Sequence, residues 1–145
     1  MSSGSDWFKE YKFACPCCGE LKLDDHLIPK LNKAVKEFIL LLGHEPASVV
    51  VTSGYRCEKH NKEIGGAPHS YHLRGQAADT FPVVPGLDDD SVLRWWFVAL
   101  VRAGFLGVGY TAGNAIHADL RTNKPQFWAP KELLNKDRRY LYLLR

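Results

Sequence analysis

Two short stretches of this sequence carry side chains that could hold a metal ion. Residues 70–79 contain His72 and Asp79, and residues 116–120 contain His117. Imidazole nitrogens and carboxylate oxygens are donors that Zn²⁺ accepts, and three protein ligands leave the fourth tetrahedral position open for water. An ion held in this way generates hydroxide near neutral pH and polarises a carbonyl group. The sequence therefore predicts a catalytic zinc site with these three ligands.

The spacing within the first stretch requires a turn between its two ligands. His72 and Asp79 are seven residues apart, and an odd separation on one strand would put their side chains on opposite faces. Gly75 lies between them, and glycine tolerates backbone angles that other residues avoid. We therefore expect His72 in a loop and Asp79 on a short strand over residues 76–81.

The second stretch has the pattern of a β-hairpin. Residues 115–120 alternate between apolar and polar side chains, which puts His117, Asp119 and Arg121 on one face. Residues 105–110 are also strand-like, and the four residues between the two strands have turn chemistry. A single histidine beside an acid is more often an ordinary hydrogen-bonded pair, but two such sites in one chain favour metal binding.

The residues around both stretches resemble the zinc D-Ala-D-Ala peptidases of the peptidase M15 family. The first signature of that family is Ser-x-His-x-x-Gly-x-Ala-x-Asp, and it is matched by Ser70, His72, Gly75, Ala77 and Asp79. The second ligand segment ends in a histidine, which His117 matches in the form His-x-Asp. Residues 53–56, Asn61 and residues 65–67 resemble the segment before the signature in the small, phage-associated branch. The likeness runs from about residue 13 to residue 121.

The resemblance implies an α+β fold, a small antiparallel sheet with flanking helices, which is shared with the hedgehog signalling domain. It implies a D,D- or L,D-peptidase, either a carboxypeptidase or an endopeptidase, that hydrolyses peptide bonds in peptidoglycan stem peptides beside a D-amino acid. By the same resemblance, His72, Asp79 and His117 hold the zinc ion. Arg56 matches an arginine that faces the substrate carbonyl, where it would stabilise the developing oxyanion.

One position departs from the pattern of the family. Many members carry an acidic general base three positions before the last histidine, and that position is Asn114 here, which cannot take a proton. The small branch often lacks this acid and keeps the one after the histidine, so we expect Asp119 to be the base. A second interpretation is that Asp119 orients His117. Asn114 also leaves open a zinc site that has lost activity.

Three further side chains near the signature are candidates for substrate binding. His69 could contact the terminal carboxylate of the substrate or the developing oxyanion, although an exposed loop histidine is the simpler interpretation. Ser70 could hydrogen-bond a ligand or the backbone of its own loop. Tyr55 could pack in the domain or present its hydroxyl group to the substrate.

Four cysteines form a second group of interest. Cys15, Cys17 and Cys18 lie in the run Ala-Cys-Pro-Cys-Cys-Gly, which resembles half of a structural zinc site, and Cys57 directly follows Arg56. The four could bind a second metal ion. A disulfide from this group to Cys57 would instead suit an enzyme that works outside the cell. Reduced, partly buried thiols are the third interpretation, and the sequence leaves all three open.

Length and composition predict one globular domain. The chain has 145 residues, of which 46% are hydrophobic and 24% charged. We expect a single domain over residues 1–145, with an N-terminal extension over 1–12 and an irregular tail over 122–145. A net charge of +3 without a basic run does not indicate nucleic acid, and no apolar stretch is long enough to span a bilayer. We expect a monomer whose partner is a peptidoglycan peptide, with neither nucleic acid nor membrane as a partner.

The N-terminus is polar rather than basic and then apolar, so no secretory segment is predicted. We therefore expect cytoplasmic synthesis without a signal peptide and action at the cell wall. Release by phage lysis or transport on a phage particle would fit.

Apolar periodicity and turn residues predict the other elements. A helix is expected from Asp24 or Asp25 to about Leu42, ended by Gly43, and a central strand over residues 48–52. We also expect two helices, over residues 58–64 and from residue 88 to about residue 103. In the tail, an aromatic stretch that includes Trp128 could line the substrate cleft or pack on the fold, and residues 140–144 could add an edge strand.

Two other functions stay open. The chain could be a non-catalytic zinc module that binds cell-wall peptides or a protein partner, because folds of this kind are not tied to one function. It could also be a structural component of a phage, assembled through its cysteines.

Overall fold

The computed structural model describes residues 7–130, and the tail strand expected over residues 140–144 lies outside them. The helices are α1 (Leu27–Leu42), α2 (Glu58–Glu63) and α3 (Asp89–Arg102). The strands are β1 (Ser48–Ser53), β2 (Ala77–Val83), β3 (Gly107–Tyr110), β4 (Ile116–Asp119) and β5 (Gln126–Trp128). Two short 3₁₀ turns occur at Glu10–Phe13 and Tyr71–Arg74. The predicted α+β class is confirmed.

Local signals explain where the two long helices begin and end. Helix α1 ends at Gly43, which adopts a left-handed conformation (φ +85°) and donates its N–H to the carbonyl of Ile39. It begins a little later than expected, because Asp24 accepts the backbone N–H of His26 in the turn before the helix. Helix α3 begins after Asp88, whose carboxylate accepts the N–H of Ser91. No helix within residues 7–130 is long and apolar enough to cross a membrane.

The five strands form one sheet in the order β1-β2-β4-β3-β5. The first four strands are antiparallel, as expected, whereas β5 runs parallel to β3 and makes the sheet mixed. Within residues 7–130, strand β1 lies at an edge of the sheet rather than at the centre expected for residues 48–52. A run of β-branched residues favours a strand in either place, and here only Val49 of β1 is buried.

Both ends of the described chain contact the domain. In the N-terminal extension, Phe8 is buried and its ring lies 6.3 Å from that of Phe13. In the tail that was expected to be irregular over residues 122–145, strand β5 pairs with β3. All three residues of this strand are exposed. Burial therefore imposes no alternation of apolar and polar residues on its sequence, and its position depends on pairing with β3.

The hydrophobic core lies between one face of the sheet and the two long helices. Helix α3 packs on β2, β3 and β4, and α1 packs on α3. Val108, Ala118 and Ala78 cover the core face of the three strands. The indole N–H of Trp96 on α3 donates to the hydroxyl of Thr80 on β2, over 2.9 Å, so both buried polar groups are satisfied. The opposite face of these strands is left for polar side chains.

Candidate metal centre

Three neighbouring strands present the polar residues on the face away from the core. Asp79 on β2 lies opposite His117 on β4, and His117 lies opposite Gly109 on β3. Asp119 lies opposite Gly107 two pairs further along, and therefore on the same face. Directly opposed residues of antiparallel strands point to the same face, so strand register alone brings Asp79, His117 and Asp119 together. The predicted hairpin and its alternation are confirmed.

The 3₁₀ turn between Ser70 and Gly75 delivers His72 to the same place. The Ser70 hydroxyl accepts the backbone N–H of His72 over 3.2 Å, and Gly75 ends the turn in a left-handed conformation (φ +68°). His72 is only 2% exposed, and its Nδ1 lies 2.7 Å from the carbonyl oxygen of Gly54. The turn that the sequence required between the two ligands therefore ends at Gly75, where the left-handed backbone was expected.

The three predicted metal ligands converge at one point. Nε2 of His72 lies 3.2 Å from Oδ1 of Asp79, and Nδ1 of His117 lies 3.1 Å from the same oxygen. All three donor atoms lie within 4.8 Å of one another. Ligands 2.0–2.1 Å from a tetrahedral Zn²⁺ are about 3.4 Å apart, so these separations suit one zinc ion.

The hydrogen bonds around the imidazoles also fit a cation. The carbonyl of Gly54 can only accept, so Nδ1 of His72 carries the proton and Nε2 of the neutral ring presents a lone pair. That buried Nε2 makes no hydrogen bond within the described residues. His117 lies between two carboxylates, and a neutral imidazole can donate to only one of them. A metal ion between His72, Asp79 and His117 would satisfy every unmatched lone pair.

A second carboxylate, that of Asp119, is fully buried behind His117. Its Oδ2 lies 2.8 Å from Nε2 of His117. The guanidinium of Arg121 donates hydrogen bonds to both oxygens of Asp119, from Nε to Oδ1 over 2.8 Å and from Nη2 to Oδ2 over 2.7 Å. The backbone N–H of Arg121 also donates to Oδ1 over 3.1 Å. Both oxygens of Asp119 are therefore engaged, and its contact with His117 directs the Nδ1 of that ring toward Asp79.

The electrostatics of the group favour ionised carboxylates. Burial raises the pKa of Asp79, but its contacts with His117 and His72 outweigh burial and hold the pKa well below its usual value. For Asp119, the bonds from Arg121 and His117 outweigh burial in the same way and lower the pKa. Burial lowers the pKa of His117, whereas the bonds to Asp119 and Asp79 raise it and prevail. Both acids are thus in the charged state that a cation requires.

Arg56 lies at the edge of this group. Its Nη2 is 3.5 Å from Oδ2 of Asp79, and its Nε donates to the hydroxyl of Ser53 over 3.1 Å. Nη1 donates to the side-chain oxygen of the buried Asn61 over 3.2 Å. A Cβ on Gly66 would overlap that amide oxygen. The guanidinium is therefore held in one orientation beside a predicted metal ligand.

The structure places the other predicted site residues as follows. Ser70 supports the turn before His72. His69 is exposed in the preceding turn. Tyr55 is buried, with 6% exposure, and its backbone N–H donates to the carbonyl of Phe13. Asn114 is exposed in the hairpin turn with a left-handed backbone (φ +58°). Substrate roles for the first three stay predictions.

Two residues of the site were not among the predicted site residues, although the aromatic stretch of Trp128 was considered as one wall of the substrate cleft. Arg121 follows the alternation of β4 beyond Asp119, which was the available signal. Trp128 comes from the tail and lies against His117, with ring centroids 5.5 Å apart. A Cβ on Gly109 would overlap the Trp128 ring, so this glycine makes room for the indole. Nothing local in the sequence pairs a tail tryptophan with a glycine on another strand.

The comparison with protein families agrees with this geometry. The family model described as Peptidase M15 matches residues 9–119, which is most of the chain and includes His72, Asp79 and His117. A search among curated proteins finds no match. With its three predicted ligands converging inside the matched segment, this chain belongs to the peptidase M15 family.

Proposed function

We propose that this protein is a zinc-dependent peptidase that hydrolyses peptide bonds in peptidoglycan stem peptides, next to a D-amino acid. The observation that carries the metal dependence is the convergence of His72, Asp79 and His117, with their donor atoms within 4.8 Å. Family membership supports peptide hydrolysis. The substrate class rests on the resemblance of the residue 70–79 signature to that of the D-Ala-D-Ala peptidases.

His72, Asp79 and His117 would hold the ion. A zinc ion supplies a Lewis acid for the scissile carbonyl and lowers the pKa of water toward neutrality. The protein contributes a rigid platform, because two of the ligands lie on paired strands and the third is fixed by the Gly54 carbonyl. Such fixed geometry is what a metal site in an enzyme requires.

Arg56 would stabilise negative charge on the substrate. Its guanidinium is already oriented by Ser53 and Asn61 and lies beside Asp79. A donor that is fixed before the reaction needs no reorganisation when the oxyanion develops. Its partial burial raises the strength of that interaction by excluding water.

The contacts of Asp119 support the orienting role. Its carboxylate receives hydrogen bonds from Arg121 and lies against His117, so neither oxygen is directed to a substrate. An acid that fixes the ring orientation of a metal-bound histidine raises the affinity of the site for metal. The general-base role stays a prediction, which substitution of Asp119 can test.

Trp128 would form one wall of the substrate cleft. Trp128 is 37% exposed although its ring lies against His117, and the Arg121 guanidinium lies 5.9 Å from the ring centroid. An exposed aromatic face beside the reacting centre suits contact with the apolar parts of a stem peptide.

The test is digestion of purified peptidoglycan fragments in the presence of zinc, followed by mass spectrometry of the products. We expect cleavage that is abolished by a chelator, restored by zinc and lost in His117→Ala. His44→Ala, at an exposed histidine beyond helix α1, is the matched control and should keep full activity. Free D-alanine would identify a carboxypeptidase, and two peptide products an endopeptidase. Zinc-loaded protein that cleaves no fragment would contradict the proposal.

A non-catalytic zinc module remains the second candidate, and Asn114 favours it. The residue at the position of the family's usual acid is an exposed amide in the hairpin turn. Calorimetric titration of stem peptides separates the two functions. Stoichiometric binding of an intact peptide without turnover would indicate the binding module, whereas product release would indicate the enzyme.

A further inference from the structure

All four cysteines of the chain lie together, away from the three ligands described above. Their sulfur atoms are within 4.8 Å of one another. Cys15 is buried, Cys57 is half-buried, and Cys17 and Cys18 are exposed. The first three come from the segment after the N-terminal 3₁₀ turn, and Cys57 comes from a loop 42 positions beyond Cys15. The fold therefore joins two distant segments at this cluster.

The backbone forms a tight knuckle around Cys15. The N–H of Gly19 donates to the Cys15 carbonyl over 2.8 Å, and the N–H of Cys15 donates to the Glu20 carbonyl over 2.8 Å. Gly19 has φ +74°, which a residue with a side chain adopts only under strain. The turn places the thiols of the run 15–18 side by side, instead of letting them alternate along an extended chain.

The same cluster receives hydrogen bonds from backbone N–H groups. The N–H of Cys57 points to Sγ of Cys15 over 3.5 Å, and the N–H of His60 points to Sγ of Cys57 over 3.4 Å. Donors of this kind stabilise negative charge on sulfur. The surroundings therefore suit thiolates, which are the form of cysteine that binds metal.

The sulfur separations match a tetrahedral metal site. Sγ of Cys15 lies 3.6 Å from that of Cys17 and 3.7 Å from that of Cys57, and the last two are 3.3 Å apart. Four sulfurs at 2.3 Å from Zn²⁺ are about 3.8 Å from one another. A disulfide needs a sulfur–sulfur distance of about 2.05 Å, and all four cysteines are free.

The thiols of Cys15 and Cys17 affect each other's pKa. Burial raises the pKa of the Cys15 thiol, but hydrogen bonds from Cys57, Cys17 and Cys18 outweigh it and lower the pKa to about 6. The hydrogen bond with Cys57, burial and the nearby Cys15 together raise the pKa of Cys17 to about 12. The nearby Cys15 sulfur thus disfavours a negative charge on Cys17.

We propose that Cys15, Cys17, Cys18 and Cys57 bind a structural zinc ion that ties the N-terminal knuckle to the loop before helix α2. The site is closed by four protein donors, which is typical of structural rather than catalytic zinc. It shares no ligand with the group of His72, Asp79 and His117, so it stands whether or not the protein is a peptidase.

The first test counts zinc in protein purified without chelator, by native mass spectrometry and elemental analysis. We expect two zinc ions in the wild type and one in the double variant His72→Ala/His117→Ala. Cys18→Ser/Cys57→Ser should also retain one, held by the histidine site. Equal zinc content in the wild type and the cysteine double variant would overturn the proposal.

The central measurement of the second test is made on the wild-type chain, so it does not depend on the folding of a cysteine variant. Cobalt(II) is exchanged into the wild-type chain and into His72→Ala/His117→Ala, and the absorption spectrum is recorded. Because no cysteine lies outside this cluster, thiolate-to-cobalt charge transfer in either protein can arise only here. We expect the same strong charge-transfer band in both.

Thiol counting completes the design. Denatured wild-type protein should show four reactive thiols, and the native zinc-loaded form should show almost none until a chelator removes the metal. A disulfide linking Cys57 to the knuckle, found by peptide mapping, would overturn the proposal. So would four thiols that react fully in native protein, because that result would show reduced cysteines without metal.

Discussion

At the scale of single residues, the central feature is an imidazole between two carboxylates. His117 contacts Asp79 through Nδ1 and Asp119 through Nε2. Arg121 neutralises Asp119, whereas Asp79 is shared with His72 and Arg56. The two acids therefore have different surroundings. Asp119 is enclosed behind the His117 ring, whereas Asp79 faces Nε2 of His72. This difference distinguishes Asp79, the proposed metal ligand, from Asp119, the proposed supporting residue.

Substitution of Asp119→Asn separates the two roles considered for this acid. If Asp119 orients His117, zinc affinity should fall by roughly 10- to 100-fold, and added zinc should restore much of the activity. If it is the general base, zinc should stay bound while kcat falls about 10²–10⁴-fold. From its contacts with Arg121, we expect the first result. Competition with a fluorescent zinc chelator, run beside kinetics at saturating zinc, measures both quantities.

Arg56→Lys tests the proposed oxyanion role, because lysine keeps the charge but loses the planar fork of donors. We expect kcat to fall roughly 10²–10³-fold with little change in KM. Zinc content should equal that of the wild type, since Arg56 donates no metal ligand. Arg74→Lys is the control, because Arg74 is exposed and its guanidinium lies over the Tyr71 ring. Similar losses in the two variants would argue against the role of Arg56.

At the scale of elements, glycines decide how closely the segments around the site approach one another. A Cβ on Gly75 would overlap the backbone of Lys22, and one on Gly107 would overlap the carboxylate of Asp119. A Cβ on Gly54 would lie 2.5 Å from Cα of Phe13. Three parts of the site are therefore in close contact with neighbouring segments. They are the turn that holds His72, the face of β3 that borders the site, and the loop that carries Arg56.

Gly75→Ala and Gly65→Ala form a matched pair. Both glycines have a left-handed backbone, with φ of +68° and +74°. Among the described residues, only a Cβ on Gly75 would collide with another segment, the backbone of Lys22. Gly65→Ala should lower the free energy of unfolding by about 1–2 kcal/mol, from backbone strain alone. Gly75→Ala should lower the free energy of unfolding by roughly 1–3 kcal/mol more than Gly65→Ala does. It should also weaken zinc binding, because the turn that ends at Gly75 holds His72. Urea denaturation checks this, and equal losses would show that the contact with Lys22 contributes nothing.

At the scale of the whole molecule, the sheet brings residues from distant sequence positions into one candidate metal centre. Asp79 and His117 are 38 positions apart and meet through the pairing of β2 and β4. The opposite face of the same strands is packed against α3. A bound ion would therefore link parts of the chain that the unfolded state does not hold together, and metal binding should stabilise the fold.

Zinc should raise the melting temperature of the metal-free protein. Zinc at 100 times its Kd stabilises a folded protein by about 2.7 kcal/mol, which corresponds to a rise of roughly 8 °C for a domain of this size. Magnesium prefers octahedral oxygen ligands and should give no comparable shift. Differential scanning fluorimetry would measure both. In His72→Ala/His117→Ala the zinc-induced shift should be smaller than in the wild type, and an unchanged shift would place stabilising zinc elsewhere.

Local patterns were enough to predict most elements, and together with the family resemblance they indicated the candidate ligands that the structure brings together. Alternation on β4 put His117 and Asp119 on one face, and the odd spacing around Gly75 required the turn that the structure contains. The Peptidase M15 match confirms the family that the residue 70–79 signature suggested. Each of these inferences depends on neighbours within about ten positions, where chain geometry leaves few alternatives.

By itself, then, the sequence determined the class of the fold, the metal-ligating residue types and the turns beside them. Only the tertiary structure decided that β1 lies at an edge, that β5 pairs in parallel with β3, and that Arg121 and Trp128 complete the site. It also brought Cys57 to the cysteines of the N-terminal knuckle. The reason is physical: these contacts join segments far apart in the chain, and their energies depend on which surfaces meet rather than on the local conformation of either segment.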